Sequence, residues 1–218
     1  MCSYLISIVS ATEVMEILGK IYPQEIEAED PFRVLIQVML SHQTTDTISF
    51  PAAERLLELA DSPEKIVILP IKKIAKKIFP VGFYNTKARN IKATCKILLE
   101  KYNGDVPDTK EELVQLPGVG PKSASIVLAY GFGIPTIAVD THVNRISQRL
   151  GWVKNGTKPE KTQEVIEKII PKNYHLAANH VLVEFGRDVC KSQRPQCYRC
   201  PIYKFCKYEK KSHFRKIV

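Results

Sequence analysis

Apolar residues recur at helical spacing along most of this chain, and this pattern limits the fold more than any other feature. In the segment 32–40 the apolar side chains fall on one face of a helix: Phe32, Leu35, Ile36, Met39 and Leu40. Most prolines lie between such runs, at positions 31, 51, 63, 70, 80, 107, 117, 135, 159 and 171. Because no run alternates as a strand does, we predict an all-α fold of many short helices.

Residues with capping preferences mark several predicted helix ends. Gly186 follows the apolar run that ends at Phe185 and is expected to stop that helix. Three further pairs have the spacing of helix starts: Ser62 with Pro63, Thr109 with Glu112, and Thr157 with Glu160.

The charge of the chain favours a polyanionic partner. The 218 residues include 32 Lys and Arg against 23 Asp and Glu, which gives a formal net charge of +9. Residues 181–218 hold ten of the basic and three of the acidic residues, a composition that a solvated basic tail also explains. The first ten residues lack a basic start and no run has membrane length, so we expect a cytoplasmic protein that avoids membranes.

The stretch LPGVGPKSASIVLAYG, residues 116–131, predicts a helix–hairpin–helix. A short helix over 111–115 would precede a tight turn, and a second helix would follow it. Gly118 and Gly120 would allow positive φ angles and a close approach of the backbone to a ligand. The hairpin amides could then bind a DNA phosphate without reading sequence. A plain loop between packed helices is the alternative.

Two charged residues stand at predicted helix starts. The helix dipole disfavours a cation such as Lys122 there by about 0.3–1 kcal/mol. This lysine could therefore be solvated, contact a phosphate, or act as an uncharged amine. Asp140 in IAVDTHVNRI is a natural N-cap, which keeps it ionised. A cap and a catalytic carboxylate are compatible roles.

Four of the six cysteines crowd into one short segment with the spacing C-x₆-C-x₂-C-x₅-C. These are Cys190, Cys197, Cys200 and Cys206. Four thiolates in a single loop suit a 4Fe–4S cluster, and this is the interpretation that we favour. A structural zinc site remains the alternative, although such sites usually show two C-x₂-C knuckles. Cys95 lies on an apolar stripe and is expected to be a packed core thiol.

Taken together, LPGVGPKSA, VDTH and the four-cysteine motif resemble the endonuclease III family of DNA glycosylases. MLSHQTTD (39–46) and PVGFYNTKARNI (80–91) extend the resemblance over about residues 31–206. The resemblance implies two helical domains that flank a DNA-binding cleft. Residues 24–134 would form a six-helix bundle with the helix–hairpin–helix, and 1–23 with 135–218 would form a second domain that carries the 4Fe–4S cluster.

The same resemblance implies an activity and a role for each motif residue. The family removes oxidised pyrimidines from duplex DNA and cleaves the strand at the abasic site, and we expect a monomer. Lys122 would be the nucleophile, Asp140 its partner, and Gln43 would fill the space left by the displaced nucleotide. Lys191 and Arg194 would face phosphates, and the four cysteines would hold the cluster. The attacking amine must be uncharged, so we expect Lys122 to be buried.

Three alternatives stay open from the sequence. A thymine or uracil mismatch glycosylase would share the cluster and Asp140 but have little lyase activity. A non-catalytic helix–hairpin–helix protein would bind DNA and need neither Lys122 nor Asp140, and a structural protein would hold zinc. One departure from the family concerns the fold: Pro51 falls in a stretch that is continuous helix in the family, which predicts a break or a late start.

Overall fold

The computed structural model describes residues 2–24 and 27–215, and within those ranges every regular element is helical. The all-α prediction is confirmed. None of these helices is both long and apolar enough to cross a membrane. The helices are α1 Cys2–Ile21, α2 Pro31–Ser41, α3 Asp46–Leu57, α4 Pro63–Ile68, α5 Ile71–Ile78, α6 Tyr84–Tyr102, α7 Lys110–Leu113, α8 Pro121–Ile126, α9 Thr141–Leu150, α10 Pro159–Ile169, α11 His175–Asp188 and α12 Lys211–Arg215.

The chain divides into two compact units. The central unit is Glu27–Ile134, and the terminal unit combines Met1–Ile26 with Pro135–Val218. The central unit therefore holds α2 to α8 and a π-helical turn, Val127–Gly131, that continues α8. The terminal unit holds α1 and α9 to α12, with short 3₁₀ turns between them.

The core of the central unit surrounds α6, which packs against α4 and α5, while α2 packs against α3 and the π-helical turn. Leu35, Ile91 and Leu98 are fully buried there, as the helical pattern requires. Cys95 also has no exposed surface, which confirms the predicted core thiol, and burial raises its pKa to about 12.

In the terminal unit α11 packs against α9 and α1, with Trp152 and Phe185 buried in the core. The predicted stop at Gly186 is wrong, because α11 continues to Asp188. The glycine instead allows a close contact with α9. A Cβ at this position would lie 2.6 Å from Nδ1 of His142, which no ordinary contact tolerates.

The capping predictions are confirmed at two sites and wrong at the third. The hydroxyls of Ser62 and Thr109 each accept a hydrogen bond from the backbone N–H three residues later. Helix α10, however, begins at Pro159 without a side-chain cap. The hydroxyl of Thr157 donates to the carbonyl of Lys154 at 2.7 Å instead, so it closes the preceding turn.

The predicted break at Pro51 is wrong, since α3 runs through this residue from Asp46 to Leu57. Proline lacks the N–H that would bond to the carbonyl of Thr47. Both residues are exposed, so water can take the place of that hydrogen bond. A proline on the solvent side of this helix is tolerated for this reason.

Candidate functional site

The predicted helix–hairpin–helix is present in the central unit as α7, a turn, and α8. Its first helix is Lys110–Leu113, slightly earlier than predicted. Leu113, Leu116 and Val119 are buried and fix the hairpin on the core. The hydroxyl of Thr94 also donates to the carbonyl of Pro117 at 3.1 Å. These apolar residues hold the hairpin on the core, while Gly118 and Gly120 are exposed.

The two glycines of the hairpin differ in conformation. Gly118 has φ +85°, and a Cβ there would lie 2.9 Å from Nδ2 of Asn90. Gly120 has φ −98° and caps α8, so the predicted positive φ is wrong for this residue. Nothing lies within 4 Å of a Cβ built on Gly120. Gly118 is thus required by the turn itself, while Gly120 leaves open space at the start of α8.

Lys122 is the second residue of α8, directly after the hairpin. Its side chain is exposed, so the predicted burial is not seen in this structure. The first backbone N–H groups of a helix have no partner within the helix. Lys122 therefore combines an accessible amine with a helix start that favours anions.

Asp140 caps α9 in the terminal unit, as predicted. Its Oδ1 accepts hydrogen bonds from the backbone N–H groups of His142 at 2.8 Å and Val143 at 2.9 Å. Within the described part of the chain, Oδ2 accepts none. The cap fixes the direction of the carboxylate and leaves Oδ2 available to contact another group.

A cation links the start of α9 to the first cysteine. Arg145 donates to the carbonyl of Cys190 at 2.9 Å and to that of Gly186 at 3.2 Å, and its Nη2 lies 3.1 Å from Nδ1 of His142. Burial lowers the pKa of His142, so this ring favours the neutral form. His142 thus packs beside Asp140 as an uncharged neighbour.

Gln43 lies in the loop between α2 and α3 with a positive φ of 52°. It lines a cavity of about 330 Å³ within the central unit, together with Gly118 of the hairpin. Phe83 lines the same cavity with φ +57°, and 69% of its surface is exposed. The structure therefore brings two of the predicted DNA-binding residues to one cavity and adds an exposed aromatic ring beside them.

The four predicted cysteine ligands line one small cavity in the terminal unit, together with Arg149 and Lys211. Burial raises the pKa of Cys200 to about 12 and also raises that of Cys206. Burial and then the neighbouring Cys206 and Cys190 raise the pKa of Cys197. Cys197, Cys200 and Cys206 therefore resist ionisation, and they become thiolates only if a cationic group offsets their charge.

Two hydrogen bonds already reach sulfur in this cavity. Arg149 donates to Sγ of Cys190 at 3.2 Å, and the backbone N–H of Tyr208 donates to Sγ of Cys206 at 3.5 Å. Such donors to sulfur are the usual surroundings of an iron–sulfur cluster. Among the described residues, no group of three or more His, Cys, Asp or Glu forms a finished metal site. The assignment of the four cysteines as cluster ligands therefore rests on their shared cavity and on the donors to sulfur.

Lys191 and Arg194 lie in the exposed loop after the first cysteine. Arg149 holds this loop by donating to the carbonyls of Lys191 at 2.8 Å and Ser192 at 3.1 Å. The loop therefore presents its basic side chains to solvent from a fixed backbone.

Sequence reasoning missed Lys87, Phe83 and Arg149. Lys87 carried a signal, because it precedes Ile91 by four residues and so falls on the buried face of α6. A cation at a core position needs oxygen partners. Those partners lie far away in the chain, so the pattern alone could not name them.

Comparison with known proteins identifies the family. Residues 36–172 match the sequence profile of the HhH-GPD superfamily base excision DNA repair proteins. Endonuclease III of Thermotoga maritima is 43% identical over 196 residues, which cover 90% of this chain and 92% of the relative. Endonuclease III of Escherichia coli K12 is 39% identical over 187 residues, which cover 86% and 88% of the two chains.

Solved structures agree. A trapped endonuclease III–DNA covalent intermediate matches with a TM-score of 0.83 at 39% identity, over 91% of this chain and 95% of the other. A non-covalent endonuclease III–DNA complex gives 0.84 at 39% identity, over 94% and 96%. A thermostable thymine-DNA glycosylase shares the fold at 0.82 and 22% identity, over 95% and 97%. This chain therefore belongs to the HhH-GPD superfamily and, within it, to the endonuclease III family of DNA glycosylases with AP lyase activity.

Proposed function

We propose that this chain removes oxidised pyrimidines from duplex DNA and cleaves the strand at the resulting abasic site, with Lys122 as the nucleophile. The observation that carries the proposal is an exposed amine at the start of α8, directly after a hairpin with exposed glycines. The similarity to an endonuclease III trapped covalently on DNA supports a nucleophile of this kind.

The central unit offers two contacts for damaged duplex DNA. The hairpin at Gly118 and Gly120 can bring backbone N–H groups to a phosphate. Gln43 and Phe83 stand beside it as an exposed amide and an exposed ring. When the damaged nucleotide leaves the stack, Gln43 fills the vacated space and the ring of Phe83 stacks on a neighbouring base.

The chemistry then starts from Nζ of Lys122. The uncharged amine attacks C1′, and the bond from C1′ to the base breaks with its electron pair leaving on the base. Opening of the sugar gives a Schiff base between Nζ and C1′. Loss of a proton from C2′ expels the 3′ phosphate by β-elimination, and water then releases the amine.

Asp140 acts as the fixed anion of this reaction. Two backbone N–H groups hold Oδ1, so the direction of the carboxylate is fixed and Oδ2 is available to face the sugar. A carboxylate placed in this way stabilises positive charge that develops on the sugar and accepts or returns a proton.

The four cysteines would hold a 4Fe–4S cluster, whose iron ions offset the thiolate charge. Their shared cavity, the N–H donors to sulfur, and the nearby Arg149 and Lys211 fit this group. A closed segment 190–206 would then present Lys191 and Arg194 to the phosphate backbone. We also propose that the chain acts as a monomer, on nucleoid DNA in the cytoplasm.

Product analysis on a duplex with one thymine glycol tests the proposed reaction. We expect strand cleavage 3′ to the lesion without added alkali. A mismatch glycosylase would leave an abasic site that breaks only in alkali, and a non-catalytic DNA-binding protein would leave the strand intact. Either outcome would overturn the proposed activity.

A further inference from the structure

We infer that Lys87 is a positioning residue that sets the conformation of the loop carrying Gln43. The inference rests on the proposed function, since it concerns how Gln43 is presented to the DNA. The 42–45 loop, as we name residues 42 to 45, joins α2 to α3.

The side chain of Lys87 reaches from α6 into the end of α2. Its Nζ donates to the carbonyl of Leu40 at 2.7 Å, to the carbonyl of His42 at 2.5 Å, and to the hydroxyl of Thr44 at 3.2 Å. An ammonium has three N–H donors, and all three are used. The acceptors flank Gln43 on both sides, so one cation fixes the backbone around it.

Two of these acceptors are carbonyls that the end of α2 leaves unpaired. Helix α2 ends at Ser41, and the last carbonyls of a helix have no N–H partner within it. They also carry the negative end of the helix dipole, which favours a cation. Lys87 thus supplies what the helix end lacks, from a residue 47 positions later than Leu40.

The conformation of Gln43 needs such support. A residue other than glycine with φ near +50° is strained, and such a conformation persists only where its surroundings hold it. Gln43 has φ +52° and an exposed side chain, so packing of its own side chain does not hold it. The backbone N–H of Thr44 donates to the carbonyl of Ser41 at 3.1 Å, and the hydroxyl of Thr44 donates to the carbonyl of His42 at 3.4 Å. The three hydrogen bonds from Lys87 add a restraint from outside the loop and hold it on α6.

The same anchor reaches the loop of Phe83. The hydroxyl of Thr44 also accepts from the backbone N–H of Gly82 at 3.2 Å, and the backbone N–H of Lys87 donates to the carbonyl of Phe83 at 3.0 Å. The backbone bond to Phe83 would form with any residue other than proline at position 87, so the side chain of Lys87 is linked to the Phe83 loop through Thr44 and Gly82. Gln43 and Phe83 both have left-handed backbones.

If Lys87 only filled space in the core, an apolar side chain would do so without the free-energy cost of desolvating a charge. Lys87 is 7% exposed, and burial lowers its pKa to about 8 without an opposite charge to compensate. Within the described residues it forms no ion pair with a carboxylate. The cost of the buried cation is balanced by hydrogen bonds to the 42–45 loop, which locates its role there.

The chain offers a matched control on the same helix. Lys92 donates to the carbonyl of Leu69 at 2.6 Å, just after α4 ends, away from the 42–45 loop. Lys87→Met and Lys92→Met each remove one lysine of α6 that donates to a carbonyl at the end of another helix. Lys87→Arg keeps cationic donors and serves as a second variant if Lys87→Met fails to fold.

The first test is amide hydrogen exchange of the full chain without DNA, which does not depend on activity. We expect exchange at residues 42–45 to be at least about tenfold faster in Lys87→Met, and unchanged in Lys92→Met. Equal protection in the wild type and Lys87→Met would overturn the inference. Lys87→Arg should lie between the two.

The second test is a double-mutant cycle with Gln43→Ala. We expect Lys87→Met to slow excision of thymine glycol in single turnover by about 10–100-fold, and to slow cleavage of an abasic duplex less. In the Gln43→Ala background the same change should add less than about threefold, because Lys87 acts through Gln43. Full additivity would contradict the inference. Failure of the proposed function would look different, since the wild type itself would then leave the duplex intact.

Discussion

The two units carry their site residues on supports of different kinds. In the central unit the hairpin stands on buried Leu113, Leu116 and Val119, and the 42–45 loop is fixed by Lys87. In the terminal unit only Pro195 and Ile202 are buried within the segment 190–206. Its carbonyls are held by arginines, and its four thiols share a cavity.

This difference indicates what stabilises the hairpin and what stabilises the segment 190–206. Burial of apolar side chains is enough to hold the hairpin, because such surface contributes about 25 cal/mol per Å² removed from water. A segment with two buried residues lacks that contribution, and under the proposed assignment it depends on the cluster that its cysteines would hold. The hairpin should therefore tolerate loss of the proposed cluster, while the segment 190–206 should not.

The largest expected effect comes from removing one cysteine ligand. Cys200→Ala should abolish the broad absorbance near 400 nm and destabilise the terminal unit by roughly 5 kcal/mol or more, because metal binding is linked to folding. Absorbance, iron content and thermal unfolding measure this. Cys95→Ala is the matched control, since Cys95 is buried in the core of the central unit. It should lose stability and keep the absorbance. If Cys200→Ala kept the absorbance of the wild type, the assignment of Cys200 as a cluster ligand would be contradicted.

The next effect concerns the cap of α9. Asp140→Asn keeps a good N-cap but removes the charge, so base removal should slow by about 10²–10⁴-fold while unfolding is almost unchanged. Asp140→Ala should also lose about 1 kcal/mol of stability. Single-turnover excision and urea unfolding separate the two roles. An Asn variant with full activity would leave Asp140 with the capping role alone.

The two hairpin glycines should respond differently to the same substitution. Gly118→Ala places a Cβ against Asn90 at a positive φ and should cost about 1–2 kcal/mol of stability. Gly120→Ala meets no atom and should leave unfolding within about 0.5 kcal/mol. If a phosphate approaches this backbone closely, Gly120→Ala will still weaken binding to an abasic duplex. Unchanged affinity would place the phosphate elsewhere.

The last prediction is a pH dependence that arises from Lys87. Its pKa of about 8 lies below the ordinary value of 10.5, so the unfolded chain binds more protons between these values. The free energy of unfolding of the wild type relative to Lys87→Met should therefore rise as the pH goes from about 8 to 10.5. Below pH 8 the full desolvation penalty of the buried ammonium is present. Urea unfolding of the wild type and Lys87→Met across this range gives the difference. A difference that stays constant with pH would contradict the buried cation.

The sequence was informative wherever structure depends on near neighbours. Helical periodicity predicted the all-α fold, and the spacing of Asp140 from the next helix predicted its cap. The predictions failed where the structure depends on contacts between residues far apart in the chain. A glycine is needed at position 186 because His142 lies against it, and not because a helix ends there. The role of Lys87 depends on carbonyls at the end of α2. No local pattern specifies which helix end a buried lysine meets.

Borohydride trapping tests the central claim most directly. The wild type and Lys122→Gln are each incubated with a duplex containing one thymine glycol, and with the same duplex containing an abasic site. We expect a covalent adduct of the wild type on both duplexes and none with Lys122→Gln, in which the nucleophile is lost. Tight binding without any adduct, or an adduct that persists in Lys122→Gln, would contradict the assignment of Lys122 as the nucleophile.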